Sequence, residues 1–301
     1  MPNTRTIRQG VAYGVGAYGI WGLIPLYFKS VAHVAPVEIV AYRTLWSLAI
    51  LVALVLVLGK GRDLLRELCD RKILGMLAVS TLLIGSNWLL YVHTVTSGQV
   101  LQAALAYFAN PLVSVLLGVV LLGERLRPMQ LAAIVLAGAG MLVLGIKVGQ
   151  FPWLALSLAL TFAFYGLMRK LVPVDSLVSL SAETLMLAPF AAAYLVWIWT
   201  RPEYVGHDLR TNLLLPFSGA VTAVPLLMFG AAMRRLPLST MGILQYLSPS
   251  LLFLLAVVVF GEPLMYDRLV SFALVWTAVA IYLADGFRAR RAVAIEVIEP
   301  D

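Results

Sequence analysis

The side chains in this chain that could do chemistry are polar groups set inside long apolar runs, and they come in matched pairs. Tyr107-Phe108-Ala109-Asn110-Pro111 and Gln245-Tyr246-Leu247-Ser248-Pro249 each place a proline near the middle of such a run. Proline removes one backbone donor and frees the carbonyl four residues back, here those of Tyr107 and Gln245. Tyr107, Asn110 and Ser114 recur at helical spacing and share one face, as do Gln245 and Ser248. In lipid such groups must turn toward the bundle interior or a wet cavity, where they would recognise a hydrogen-bonding ligand. The plainer alternative is interhelical hydrogen bonding without ligand, worth about 0.6 to 2 kcal/mol per bond. Asn87 and Tyr91, with Trp88 between them, and Tyr18 and Trp21 add candidate cavity walls, while His93 reads as an interfacial anchor.

Two charges also fall well inside the apolar runs, away from their ends. Arg43 and Glu183 each lie roughly 9 Å deep at the helical rise, but in opposite halves of the membrane, so they are not expected to pair. Arginine can snorkel to water from that depth, so Arg43 divides evenly between a bland and a functional reading. Glutamate reaches less far; Glu183 must be paired, hydrated or neutral, and it is the candidate carrier of a coupling proton. Enzyme chemistry has little equipment. His33, His93 and His207 are scattered without metal spacing, the single Cys69 cannot form an internal disulfide, and neither a nucleophile elbow nor a phosphate-binding loop is present. No cofactor is implied, and energy for any cycle would come from a gradient.

The elements that position these groups follow from composition. Of 301 residues 61% are hydrophobic and 12% charged, with a mean hydropathy of +0.93, which places the chain in lipid and excludes disorder and disulfide scaffolds. A pI near 9.6 would fit a nucleic-acid binder, but the basic residues sit in short clusters between apolar runs. Ten runs are long enough to span as helices: 9–28, 37–59, 73–95, 100–122, 128–147, 151–168, 177–199, 212–233, 239–260 and 266–285. Assigned alternately to the two sides, sixteen basic residues outside the runs fall on one side and five on the other, which puts both termini in the cytoplasm.

The chain also repeats itself. A shift of 138 positions lays the first proline segment on the second and Gly123-Glu124 on Gly261-Glu262. With small changes of register, Trp21 lies over Tyr165 and Arg43 over Glu183. The expected architecture is therefore an all-α membrane protein of ten transmembrane helices in two five-helix repeats, 1–148 and 149–301. Because five is odd, the second repeat is inverted, the plan of secondary transporters with a midplane site. The Gly-Glu pairs read as helix-terminal turns whose carboxylate sits near the start of the next helix, and Gly14, Gly118, Gly138 and Gly140 as close-packing positions.

These residues resemble a known family. Arg43-Thr44-Leu45-Trp46-Ser47, Asn87-Trp88-Leu89-Leu90, Tyr107 through Val113, Gly123-Glu124-Arg125, Phe162 through Leu167 and Gln245 through Pro249 occur in order over nearly the whole chain. They are similar to the RarD group, labelled chloramphenicol-sensitivity proteins, within the EamA families of the drug/metabolite transporter superfamily. The resemblance implies a bacterial inner-membrane permease with a central cavity walled by both halves; it names no substrate. The resulting expectation is a secondary active transporter, an exporter of a small polar or amphipathic metabolite or drug, working by alternating access. Tyr107, Asn110, Gln245, Ser248, Asn87, Tyr91, Trp21 and Tyr165 would contact substrate, and Arg43 and Glu183 would act in charge pairing, coupling or gating near the entrances. The partners are a small-molecule substrate, membrane lipid and a coupling proton, with no nucleic acid; monomer and homodimer stay open. The alternative is a non-transporting membrane sensor or assembly partner with a structural polar interior.

Overall fold

A computed structural model describes residues 4–96, 100–146, 153–259 and 266–298. Among these residues all regular structure is helical, as it must be where lipid offers peptide groups no partner. The helices are α1 (Thr4–Ser30), α2 (Pro36–Val57), α3 (Gly61–Cys69), α4 (Arg71–Thr96), α5 (Val100–Leu122), α6 (Pro128–Ile146), α7 (Trp153–Leu171), α8 (Ser176–Trp199), α9 (Leu209–Met233), α10 (Leu238–Leu244), α11 (Leu247–Leu254), which a π turn (Leu255–Val259) extends, and α12 (Tyr266–Ile298). Among the described residues α1, α2, α4, α7, α8 and α9 are long and apolar enough to cross a membrane, and α5, α6 and α12 hold shorter apolar stretches. Leu82, Leu116, Phe190 and Leu213 are exposed on the outside of the bundle, an exterior that suits hydrocarbon and not water.

Helix ends follow local chemistry. Pro36 and Pro128 start their helices, where a missing N–H costs nothing. Asp175 caps α8 by accepting from the Leu177 N–H at 3.0 Å, and Asp208 caps α9 by accepting from the Thr211 N–H at 3.1 Å. The basic segment after α2, expected as a loop, forms the amphipathic α3, whose Leu64 and Leu68 pack onto the bundle while its charges stay outside.

The two proline runs behave differently. α5 continues through Pro111, whereas the run expected at 239–260 breaks at Gln245–Tyr246 into α10 and α11. Pro249 cannot donate to Gln245, and the chain compensates with tighter bonds: Tyr246 N–H donates to the Ile243 carbonyl and Ser248 N–H to that of Gln245, both at 3.2 Å.

α2 packs on α8 and α9, α1 on α9 and α11, α7 on α4 and α5, α4 on α8, and α5 on α10. α6 and α12 pack on each other to one side, through Ala133, Ala137, Val275 and Ala278. Two glycines allow the closest approaches to a neighbouring backbone among the described residues: a methyl at Gly219 would stand 2.5 Å from the backbone of Trp46, and one at Gly242 2.7 Å from the Pro111 carbonyl oxygen. The end of the bundle holding the start of α1 and the end of α7 is called the basic end below, and the opposite one the far end.

Candidate functional site

A cavity of about 190 Å³ lies between the packed helices. Its wall draws on α1 (Tyr18, Trp21, Tyr27), α2 (Arg43), α4 (Asn87, Trp88, Tyr91), α5 (Tyr107, Asn110), α7 (Leu158, Phe162), α9 (Ser218, Thr222, Leu226) and the break between α10 and α11 (Gln245, Ser248, Pro249). The broken run and the kink-prone run thus meet at one place, where the freed backbone faces a cavity and not lipid.

The polar groups divide into two kinds. Some are spent on the chain itself: Asn87 Nδ2 donates to the Leu158 carbonyl and to Thr161 Oγ1, both at 2.9 Å, and Ser248 Oγ donates to the Tyr18 carbonyl at 2.7 Å. Others have no hydrogen-bond partner among the described residues although buried: Tyr18 Oη, Arg43 Nε and Asn110 Oδ1. Each buried group left so costs about 1 to 3 kcal/mol, and all three belong to residues lining the cavity. The Arg43 guanidinium lies 4.3 Å from the centre of the Trp88 ring, a cation–π contact, with Tyr27 and Tyr91 nearby. Arg43 therefore forms part of the cavity wall.

Tyr107, Asn110, Gln245, Ser248, Asn87, Tyr91, Trp21 and Arg43 come together here; Tyr165, Glu183 and Ser114 do not line the cavity. Tyr165 is fully buried behind Phe229, their rings stacked at 5.9 Å, and its hydroxyl donates to Glu183 Oε2 at 3.3 Å. Glu183, expected near an entrance, is 1% exposed and ion-paired with Arg169 at 3.3 Å. Ser80 Oγ donates to it at 2.8 Å, and Arg169 also donates to Ser179. The reading of Arg43 and Glu183 as the only ionisable groups inside the helices is thus corrected. Arg169 had been assigned to a loop, yet it sits in the last turn of α7, against Gly230, where a methyl group would displace it. A signal was present: Ser176, Ser179 and Glu183 form a polar stripe at helical spacing on α8.

The Gly-Glu turn also reaches further than expected. Gly123 has φ +64°, and Glu124 N–H closes the turn onto the Gly118 carbonyl at 2.9 Å. Its carboxylate caps not the next helix, α6, but α10. It accepts from the N–H groups of Leu238 and Ser239 at 2.6 and 2.9 Å and from Ser239 Oγ at 2.6 Å. Its counterpart, Gly261-Glu262, lies outside the described residues.

At the far end, a cluster missed in the sequence joins α2 to the loop before α9. Glu38, 5% exposed, accepts from Tyr204 Oη at 3.0 Å and pairs with His207 Nε2 at 2.8 Å, while His33 Nε2 meets Thr211 Oγ1 at 2.8 Å. Burial, then the bond to Glu38, raises the Tyr204 hydroxyl above its ordinary pKa. Among the described residues no three His, Cys, Asp or Glu side chains group to hold a metal.

Comparison with known proteins identifies the family. Residues 8–146 match the EamA-like transporter family. Protein RarD of Salmonella typhimurium is 44% identical over 291 residues, covering 96% of this chain and 99% of the relative. An uncharacterized transporter of Pseudomonas aeruginosa is also 44% identical, over 96% and 97%, and the chloramphenicol-sensitive protein RarD of that organism is 32% identical over 95% and 97%. A solved structure titled "Crystal structure of protein" superposes with a TM-score of 0.74 at 21% identity, over 92% of this chain and 97% of that one, which shows a shared fold. With transporters matching it end to end, this multi-pass membrane chain belongs to the EamA family, in its RarD group.

Proposed function

We propose that the protein is a secondary active transporter that exports a small polar or amphipathic metabolite or drug by alternating access. The observation that carries the reading is the cavity lined from both halves of the chain, with Tyr18 Oη, Arg43 Nε and Asn110 Oδ1 buried and without hydrogen bonds among the described residues. Asn87 and Ser248 are satisfied by the chain itself, whereas these three face a cavity large enough for a ligand; Arg169 Nε and Asp285 Oδ2, buried and likewise without a hydrogen bond among the described residues, lie away from it.

The helix packing supports two inverted repeats, 1–148 and 149–301, with ten spans, the last-but-one formed by α10, α11 and the π turn. Exchange each first-half helix with its counterpart: α1 with α7, α2 with α8, α4 with α9, α5 with α10 and α11, and α6 with α12. The pair α1–α9 then becomes α7–α4, α2–α9 becomes α8–α4, and α5–α7 becomes α11–α1, all of which pack. The pairs α2–α8, α5–α10 and α6–α12 map onto themselves. The excess of basic residues at the basic end supports a cytoplasmic position for that end and for both termini, in a bacterial inner membrane.

Besides the contacts at the cavity, the halves also meet through polar contacts at each end. At the basic end Lys60 pairs with Asp175 at 2.8 Å, Ser80 bonds Glu183, and Glu124 caps α10. At the far end Glu38 pairs with His207, His33 meets Thr211, and Tyr27 Oη donates to the Leu214 carbonyl at 3.2 Å. Alternating access opens one set while the other holds. Glu183 is the proposed proton carrier, accessible once its contacts to Ser80 and Arg169 part; loss of its charge before then would leave Arg169 a buried cation without a carboxylate. A Glu183→Gln variant that keeps full proton-driven transport would remove that role.

Reconstitution tests the main reading. Saturable counterflow of substrate in proteoliposomes is expected from the wild type. Asn110→Ala should lower it at least tenfold while inserting and folding normally. Comparing right-side-out with inverted vesicles reads the direction. Absence of counterflow for every class of metabolite tried would favour a sensor or assembly partner instead.

A further inference from the structure

Among the described residues that line the cavity, Arg43 is the only one that carries a charge; no aspartate, glutamate, lysine or histidine joins it there. Its two ionisable neighbours are the hydroxyls of Tyr91 and Tyr27, neither of which balances a cation at neutral pH. It forms no salt bridge among the described residues, and its Nε is buried without a hydrogen bond. Trp88 covers one face of the guanidinium, which leaves the N–H edge as the hydrogen-bonding side. A cation withdrawn from water without a counter-charge is costly, and the group that relieves it best is a carboxylate, whose two oxygens match the guanidinium fork. Asn110 Oδ1, also unbonded, calls for a donor on the same ligand. Trp21 and Phe162, with ring centres 5.7 Å apart, give the wall an aromatic side.

We infer that the cavity takes a small organic monoanion: a carboxylate held by Arg43, on an apolar or aromatic body that carries a hydrogen-bond donor toward Asn110. This rests on the transporter reading for its biological meaning and sharpens it by excluding organic cations as preferred cargo. A cation would meet Arg43 without any acidic side chain in the wall to offset the repulsion.

The probe is 3-(4-hydroxyphenyl)propanoate, compared with its amide and with the amine of the same chain length. Binding is read on the full-length protein in nanodiscs by quenching of tryptophan fluorescence, since Trp21 and Trp88 line the cavity, and by thermal shift. The carboxylate is expected to bind at least tenfold more tightly than the amide, and the amine more weakly still. Arg43→Gln should erase the preference for the carboxylate over the amide, and Arg43→Lys should restore part of it, with both variants checked for wild-type elution on gel filtration. Amide or amine binding as tightly as the carboxylate, no carboxylate binding by the folded wild type, or unchanged carboxylate affinity in Arg43→Gln would each overturn the assignment. Counterflow of the same three compounds separates the two readings. Flux of amide or amine without the carboxylate sinks the anion site and leaves a transporter; carboxylate binding without flux of any compound sinks the transporter and leaves the anion site.

Discussion

Arg169 and Glu183 are each almost fully buried, and their pairing decides how substitutions there behave. Removing one partner leaves the other as an uncompensated charge, so Arg169→Ala should destabilise the fold by about 3 to 5 kcal/mol. The double variant Arg169→Met with Glu183→Leu should recover most of that loss, because two apolar side chains of similar volume need no counter-charge. Unfolding in mixed detergent, followed by circular dichroism, would measure both, and a double variant as unstable as Arg169→Ala would show that the bonds to Ser179 and Ser80 matter more than the charges. Sequence reading found Glu183 but not its partner, because a basic residue at the end of an apolar run looks like part of a loop. Asn110, Tyr107 and Gln245 were legible for the opposite reason: beside a proline in the middle of such a run, a polar side chain has no bland place to go.

Among the elements, α10 depends most on contacts from far along the chain. Glu124 supplies three hydrogen bonds to its first turn, and Gly242 lets it press onto the carbonyl of Pro111. Gly242→Ala should therefore cost about 1 to 3 kcal/mol through overpacking against rigid backbone, a larger loss than the same change at Gly75, where a methyl meets nothing within 4 Å. The Asp175 cap of α8 allows a pH test. Burial raises the pKa of its carboxyl, but hydrogen bonds from Lys60 and the Leu177 N–H, with the nearby positive charges, outweigh that and hold it below its ordinary value. A carboxyl depressed in the folded state stabilises fully above its unfolded pKa, and that contribution is lost as pH falls through the folded value. The side chain is half exposed, so the effect is a few tenths of a kcal/mol. The gap in melting temperature between wild type and Asp175→Asn should thus narrow from pH 7 to pH 3; a constant gap would count against the Lys60 pair. The length of the apolar runs revealed most of the helices. It did not reveal α3, whose amphipathic pattern is too short to stand out, nor the break at Gln245–Tyr246, because a proline marks a weak point without saying whether the helix bends or parts there.

At the scale of the whole molecule, the mismatch between repeat and environment is itself informative. In the proposed repeat Trp21 is the counterpart of Tyr165 and Arg43 of Glu183, yet Trp21 and Arg43 line the cavity while Tyr165 and Glu183 lie buried beyond Phe229. The sequence suggested Trp21 and Tyr165 as substrate contacts and Arg43 and Glu183 as coupling or gating groups near the entrances. In a device that works by exchanging the conformations of two inverted halves, equivalent residues occupy different surroundings at any one moment and trade them in the opposite state. That exchange can be read by thiol labelling once Cys69, the single cysteine, is replaced by serine. A thiol-to-thiol cross-linker joining cysteines at Lys60 and Asp175 holds the basic end shut, and one joining cysteines at His33 and Thr211 holds the far end shut. With the basic end held, a cysteine at Trp21 should label quickly and one at Tyr165 slowly; with the far end held, the order should reverse. Either cross-link should also stop counterflow until a reducible linker is cleaved. A static scaffold would give the same labelling order under both cross-links, and that single result would remove alternating access as the reason for the repeat.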